Sequence, residues 1–113
     1  MIKEDHIDEL HIRINYLEDG VNKGYIDIEL IYEVINIVDV LVFEEYRNKG
    51  IATKLFYYLI NKYKNRCDKF MLEVRSRNEY AIKLYSNFGF KIIHKRDKYY
   101  KDDDALIMEM NVR

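Results

Sequence analysis

Between residues 34 and 63 the hydrophobic period of the chain changes once, and the change falls at a glycine. Residues 34–42 are apolar on both faces, the pattern of a strand at the centre of a sheet. After Gly50, the side chains Ile51, Leu55, Tyr58, Leu59 and Tyr63 recur at helical spacing, with Lys54, Asn61, Lys62 and Lys64 on the other side. The run Phe70-Met71-Leu72-Glu73-Val74 then returns to a β-type pattern. Strand, helix and strand in that order predict a parallel, right-handed crossover. The fold class is therefore α/β, a mixed sheet built around a central βαβ unit.

The flanks predict antiparallel strands. His11-Ile12-Arg13-Ile14-Asn15-Tyr16-Leu17 alternates in part, Glu18-Asp19-Gly20 has turn chemistry, and Gly24 is expected to restart the chain, which together read as a hairpin. Residues 25–42 are too long for one strand and divide near Tyr32-Glu33 into 25–31 and 34–42. Asn78 can cap a second helix whose apolar stripe is Ala81, Leu84, Tyr85 and Phe88 and which Gly89 ends. Two closing strands are expected at 90–95 and 104–112, joined by a charged loop that contains Tyr99 and Tyr100.

Nothing in the composition divides the chain. With 113 residues, 49% apolar content, no proline and four glycines, no linker is apparent, and 1–113 is expected to form one domain. A formal charge of -1 provides no field for nucleic-acid or membrane-surface binding, so any bound anion must be gripped locally. One cysteine, Cys67, excludes an internal disulfide, and the charged start Met1-Ile2-Lys3-Glu4-Asp5-His6 is unlike a secretion signal. No apolar run approaches the ~20 residues of a membrane span. The expected location is the cytoplasm. His6, His11 and His94 are scattered without Cys or carboxylate at ligand spacing, so no metal site is expected.

The turn between the 34–42 strand and the helix carries the chemistry. A strand-to-helix turn leaves backbone N–H groups without partners, Gly50 permits close approach of a ligand, and Arg47, Lys49 and the helix dipole add positive charge. These features suit a pyrophosphate. The spacing lacks the Gly-Lys-Ser/Thr ending of the nucleoside triphosphate loop and the three glycines of the dinucleotide fingerprint. The residues alone leave a second reading open, in which Gly50 only permits a tight turn and the charges are solvated.

Arg47-Asn48-Lys49-Gly50-Ile51-Ala52 resembles the Arg/Gln-x-x-Gly-x-Gly/Ala motif of the GNAT superfamily, which binds acetyl-CoA. Val40-Leu41-Val42 is similar to the family strand that offers backbone groups to the pantetheine arm, and Glu45-Tyr46 fills the linker with an acidic-aromatic pair. The resemblance implies a cofactor site of Val40, Leu41, Val42, Arg47, Asn48, Lys49, Gly50, Ile51, Ala52 and Thr53, with Asn78 contacting the cofactor as well as capping its helix.

A second match, through Leu72-Glu73-Val74-Arg75-Ser76-Arg77-Asn78, Ala81-Ile82-Lys83-Leu84-Tyr85, Phe88-Gly89-Phe90, Arg96 and Tyr99-Tyr100, resembles the ribosomal-protein-alanine N-acetyltransferase branch. It implies Glu73 as general base and Tyr85 as general acid, acting directly on acetyl-CoA and an amine acceptor, with no nucleophilic role for Cys67. Tyr99 and Tyr100 are implied to hold the substrate backbone. By residue type alone, Glu73 also reads as a solvated strand residue, Tyr85 as a core tyrosine, and the tyrosine pair as aromatics folded onto the sheet.

A complete domain of that family opens with a strand and two helices before the hairpin, whereas here about ten residues precede it. The N-terminal helices are expected to be reduced or missing, leaving apolar sheet surface uncovered, which suggests a homodimer. The implied function is N-acetyl transfer from acetyl-CoA to a primary amine, a protein or peptide N-terminus in the first instance. The alternatives are a small-molecule amine acceptor or a non-catalytic acyl-CoA-binding sensor or partner subunit.

Overall fold

In a computed structural model that describes residues 1–112, the chain forms β1 (Ile2–His6), β2 (His11–Glu18), β3 (Val21–Ile31), β4 (Val34–Val42), α1 (Ile51–Tyr63), β5 (Lys69–Arg75), α2 (Glu79–Phe88), β6 (Lys91–Tyr100) and β7 (Asp103–Asn111). All the strands join one sheet in the order β1-β2-β3-β4-β5-β7-β6. β4 and β5 pair in parallel, with α1 crossing between them, and every other neighbouring pair is antiparallel. The mixed sheet and central crossover expected from the hydrophobic period are both present.

Alternation along the strands separates the two faces. Ile14, Ile26, Ile28, Ile35, Phe70 and Met108 point to one side and pack with Leu55, Phe56 and Leu59 of α1, all essentially inaccessible to solvent. Each such side chain contributes roughly 1.5–3 kcal/mol by leaving water. Phe56 also holds α2 in place, its ring centroid lying 5.3 Å from that of Tyr85 and 5.5 Å from that of Phe88. Asn78 caps α2 by accepting from the Ala81 N–H at 3.1 Å, and Gly89 ends it in the left-handed conformation at φ 108°.

The opposite face is polar. Arg13 donates to both oxygens of Asp27 at 2.7 and 2.8 Å while its guanidinium lies 3.9 Å from the Tyr25 ring centroid. His11 approaches Glu29 at 3.1 Å. On β2 and β3 the apolar surface expected to lie uncovered is interrupted by these paired charges, although Val21 and Ile31 of β3 remain exposed. The stretch before the hairpin forms β1 and a turn in which Asp8 accepts from the Leu10 and His11 N–H groups at 2.8 and 2.9 Å. Among the described residues, no helix is long and apolar enough to cross a membrane.

Two boundaries differ from expectation. Gly24 lies inside β3 rather than restarting the chain, because it pairs with Val42 so closely that a Cβ there would sit 2.8 Å from the Leu41 carbonyl oxygen. Tyr99 and Tyr100 are the last residues of β6, not loop residues, since Tyr100 pairs with Asp103. β6 is an edge strand exposed along nearly its whole length, so no alternation of polarity marked its end.

Candidate active site

The site is made by two strands that part. The β4–β5 ladder runs from Val34↔Lys69 to Ile37↔Leu72 and stops, although β4 continues to Val42 and β5 to Arg75. Beyond Ile37 the β5-facing backbone groups of β4 lack ladder partners, and a buried orphan N–H or C=O is costly unless a ligand or water satisfies it. On its other side β4 pairs Ile28 with Ile37 and Asp27 with Asp39, which leaves Val38 as a bulge. The extra residue shifts the alternation, so Val40 falls opposite Ile26 of the core face while Asp39 falls opposite Asp27 of the polar face.

On the helix side the opening widens into a cleft of about 370 Å³. Of the expected cofactor residues, Val40, Leu41, Val42, Arg47, Asn48, Gly50, Ile51, Ala52 and Asn78 line it, whereas Lys49 and Thr53 do not. Gly50 is the N-cap of α1 at φ 76°, a conformation that favours glycine, and no side chain caps the helix. The first turn of α1 contains no acidic residue, so its unpaired N–H groups and positive dipole end remain available to an anion. Asn48 adopts φ 64°, and the Arg47 Nε donates to the Val42 carbonyl at 3.0 Å, closing the loop over the short 3₁₀ turn Glu44–Tyr46.

Sequence reasoning left Tyr46, Tyr80, Ala81 and Leu84 out of this site, though all four line the cleft. The signal for Ala81 and Leu84 was the apolar stripe of α2, which was assigned to the core. Tyr80, 68% exposed, carried no signal in the hydrophobic pattern.

A second cleft of about 240 Å³ occupies the splay itself and shares Val40, Asn78 and Tyr85 with the first. Tyr85 is only 8% exposed, and its ring packs against Phe56 and Phe90. Burial, reinforced by the negative charge of Asp39, pushes its hydroxyl pKa up to about 12. That hydroxyl makes no hydrogen bond to a described residue, yet among the described residues no fully buried side-chain oxygen lacks a partner, so it reaches the cleft.

Glu73 and Tyr100 lead from the splay to a third cleft of about 360 Å³, which Asn36, Met71, Arg96 and Ile107 also line. Glu73 is exposed rather than buried, and its Oε1 lies 3.1 Å from a terminal nitrogen of Arg96. Tyr100 is held beneath the Arg75 guanidinium, 4.0 Å from its ring centroid, while Tyr99 packs edge-on against it at 5.4 Å and lines none of the clefts. Among the described residues, no group of three or more His, Cys, Asp or Glu is placed to hold a metal ion.

The geometry thus offers a turn with unpaired N–H groups and clefts that share lining residues across the splay, with Tyr85 and Glu73 among them. Residues 2–90 match the family described as acetyltransferase (GNAT). The chain is 34% identical over 101 residues to the N-alpha-acetyltransferase of Saccharolobus solfataricus, a match that covers 84% of this chain and 60% of that protein. It superposes on the ribosomal-protein-S18-alanine N-acetyltransferase from Escherichia coli with a TM-score of 0.89 at 25% identity, covering 93% of this chain and 71% of the other. A chain of the NatC complex bound to Gag peptide and CoA gives a TM-score of 0.75 at 27% identity, covering 91% and 71%. The chain spans about 60% of the length of the first two curated relatives it matches.

Proposed function

The chain belongs to the acetyltransferase (GNAT) family, and from that premise we propose that it transfers acetyl from acetyl-CoA to the α-amine of a protein or peptide. The observation that carries this reading is the splay between β4 and β5, which joins the anion-binding turn on one face to Glu73 on the other. The residues present fit acetyl-CoA: the uncapped turn of α1 and Arg47 suit its pyrophosphate, and the unladdered edge of Val40–Val42 suits the amides of its pantetheine arm. The Nδ2 of Asn78 remains as a donor once Oδ1 has capped α2. Acetyl-CoA supplies the activated acetyl group as a thioester.

An α-amine suits this site better than a lysine. With a pKa of about 7.7–8.0, roughly a tenth of an α-amine is neutral near pH 7, against well under ~0.1% for a lysine near 10.4. Glu73 accepts the proton lost by the amine nitrogen as its new bond to the acetyl carbon forms, directly or through one water. The ion pair with Arg96 orients the carboxylate toward the cleft. Tyr85 faces the sulfur that leaves. Its pKa of about 12 stands some 3–4 units above that of a thiol near 8.5, so complete proton transfer costs roughly 5 kcal/mol. Tyr85 therefore donates a hydrogen bond to the departing sulfur, and solvent supplies the proton afterwards. Tyr100 borders the acceptor side, with Tyr99 supporting its ring.

The similarity to an N-alpha-acetyltransferase and to a ribosomal-protein-alanine N-acetyltransferase supports the α-amine acceptor. A second reading, acyl-CoA binding without turnover, draws on the engagement of Glu73 by Arg96. Calorimetric titration of acetyl-CoA combined with a CoA-release assay on peptide amides tests both. Binding with peptide-dependent release supports the transferase, binding without release supports the sensor, and absence of binding removes both.

A further inference from the structure

One carboxylate at the splay has no part in this scheme. Asp39 lines the same cleft as Glu73 and Tyr85, and it does so because of the bulge at Val38. Without the extra residue, strict alternation from Ile35 and Ile37 would turn position 39 into the core. With it, Asp39 pairs across from Asp27 and emerges on the polar face, beside the opening through which an acceptor must come.

The neighbouring charges are already matched. Arg13 is bidentate to Asp27, Arg75 pairs with Asp102 at 2.9 Å, and Arg96 pairs with Glu73 at 3.1 Å. Asp39 accepts one weak hydrogen bond, from the Tyr25 hydroxyl at 3.3 Å, and forms no ion pair among the described residues. Arg13 acts on Asp39 only at longer range, so the carboxylate presents to the cleft a negative charge that no contact ion pair among the described residues matches. The hydroxyl of Tyr85, a residue more than nine-tenths buried, has no hydrogen-bond partner among the described residues and independently marks the same space as one built for a ligand.

We propose that Asp39 is an acceptor-binding residue that captures the substrate as its ammonium ion at the mouth of the β4–β5 splay, across from Glu73. The inference rests on the acetyl-transfer reading and deepens it. A carboxylate attracts the charged form of an amine, so Asp39 concentrates the acceptor but does not help to deprotonate it. Its contribution belongs in KM, and that of Glu73 in kcat.

The test uses the full chain and four dipeptide amides beginning with Ala, Ser, Met or Gly, with kinetics on the best of them. Asp39→Asn is expected to raise the acceptor KM about ten-fold, the loss of one charge-assisted hydrogen bond, with kcat and the acetyl-CoA dissociation constant each within about two-fold. Asp39→Glu is expected to recover part of the loss. An unchanged acceptor KM in Asp39→Asn overturns the inference while leaving acetyl transfer intact. A parallel loss of acetyl-CoA affinity also overturns it, because Asp39 would then be shaping β4. If acetyl-CoA binds and no dipeptide is acetylated, the α-amine reading fails and this inference fails with it.

Discussion

The Arg47 side chain donates its Nε hydrogen to the Val42 carbonyl at 3.0 Å, tying the turn before α1 to the last residue of β4. One donor of the expected anion ligand is thus spent on the shape of the loop, and the terminal guanidinium nitrogens are left for the ligand. Arg47→Ala removes both contributions and is expected to weaken acetyl-CoA binding by about 10–100-fold. Lys49→Ala, outside the cleft, is expected to change it by no more than about three-fold, a small loss typical of an exposed charge. Calorimetry on the two variants at one salt concentration checks the contrast; equal losses would mean that bulk charge, not the loop, holds the cofactor.

Tyr85→Phe keeps the ring against Phe56 and Phe90 and removes only the hydroxyl. If Tyr85 stabilises the leaving sulfur by a hydrogen bond, kcat falls about ten-fold, rather than the 10²–10⁴-fold associated with loss of a true proton donor. Steady-state rates with saturating acetyl-CoA read this directly. A drop beyond about a thousand-fold would restore full proton transfer to Tyr85.

Gly24→Ala tests how β3 supports the cofactor strand. The new methyl would meet the Leu41 carbonyl oxygen at 2.8 Å, and backbone cannot swing aside as a side chain can. A loss of about 1–3 kcal/mol is expected, visible as a fall of several degrees in Tm, with weaker acetyl-CoA binding because Leu41 lines the cleft. Unchanged thermal unfolding would show that β3 and β4 separate to admit a methyl group at no cost.

Glu4 fastens β1 to α1. Its side chain is 7% exposed and accepts from Tyr58 at 2.6 Å, from Tyr63 at 2.8 Å and from Lys62. Burial pushes its pKa up, but the hydrogen bonds from Lys62, Tyr58 and Tyr63 outweigh burial and bring it to about 2. A carboxylate with a depressed folded pKa contributes stability above its unfolded value of 4.5, and that contribution is lost as pH falls toward 2. The amount at neutral pH is roughly 3 kcal/mol. Urea unfolding between pH 7 and pH 2.5 is expected to show this loss in the parent protein, and Glu4→Gln is expected to flatten that part of the profile. A variant that keeps the full slope would assign it to other carboxylates.

Much of the fold was legible because its signals are local. The bounds of β4 and the start of α1 follow from a change of hydrophobic period at Gly50, and the caps of α2 from Asn78 and Gly89. The turn Arg47–Ala52 stood out for the same reason: the unpaired N–H groups of a helix N-terminus lie within one short segment. Tyr80 was not legible, since it enters the cleft from an exposed position that no periodicity marks.

The chain alone, then, determined the order of strand, turn and helix and the residue types available for binding and proton transfer, all of which depend on neighbours in sequence. Only the tertiary structure decided that β4 and β5 part after Ile37 and that Val38 bulges to bring Asp39 into the same cleft as Glu73. It also decided that Glu73 meets Arg96 in the open and that Tyr100 rather than Tyr99 lines the clefts. Register is a relation between strands, and one unmatched residue reverses which face every later side chain occupies, so no single segment carries that information.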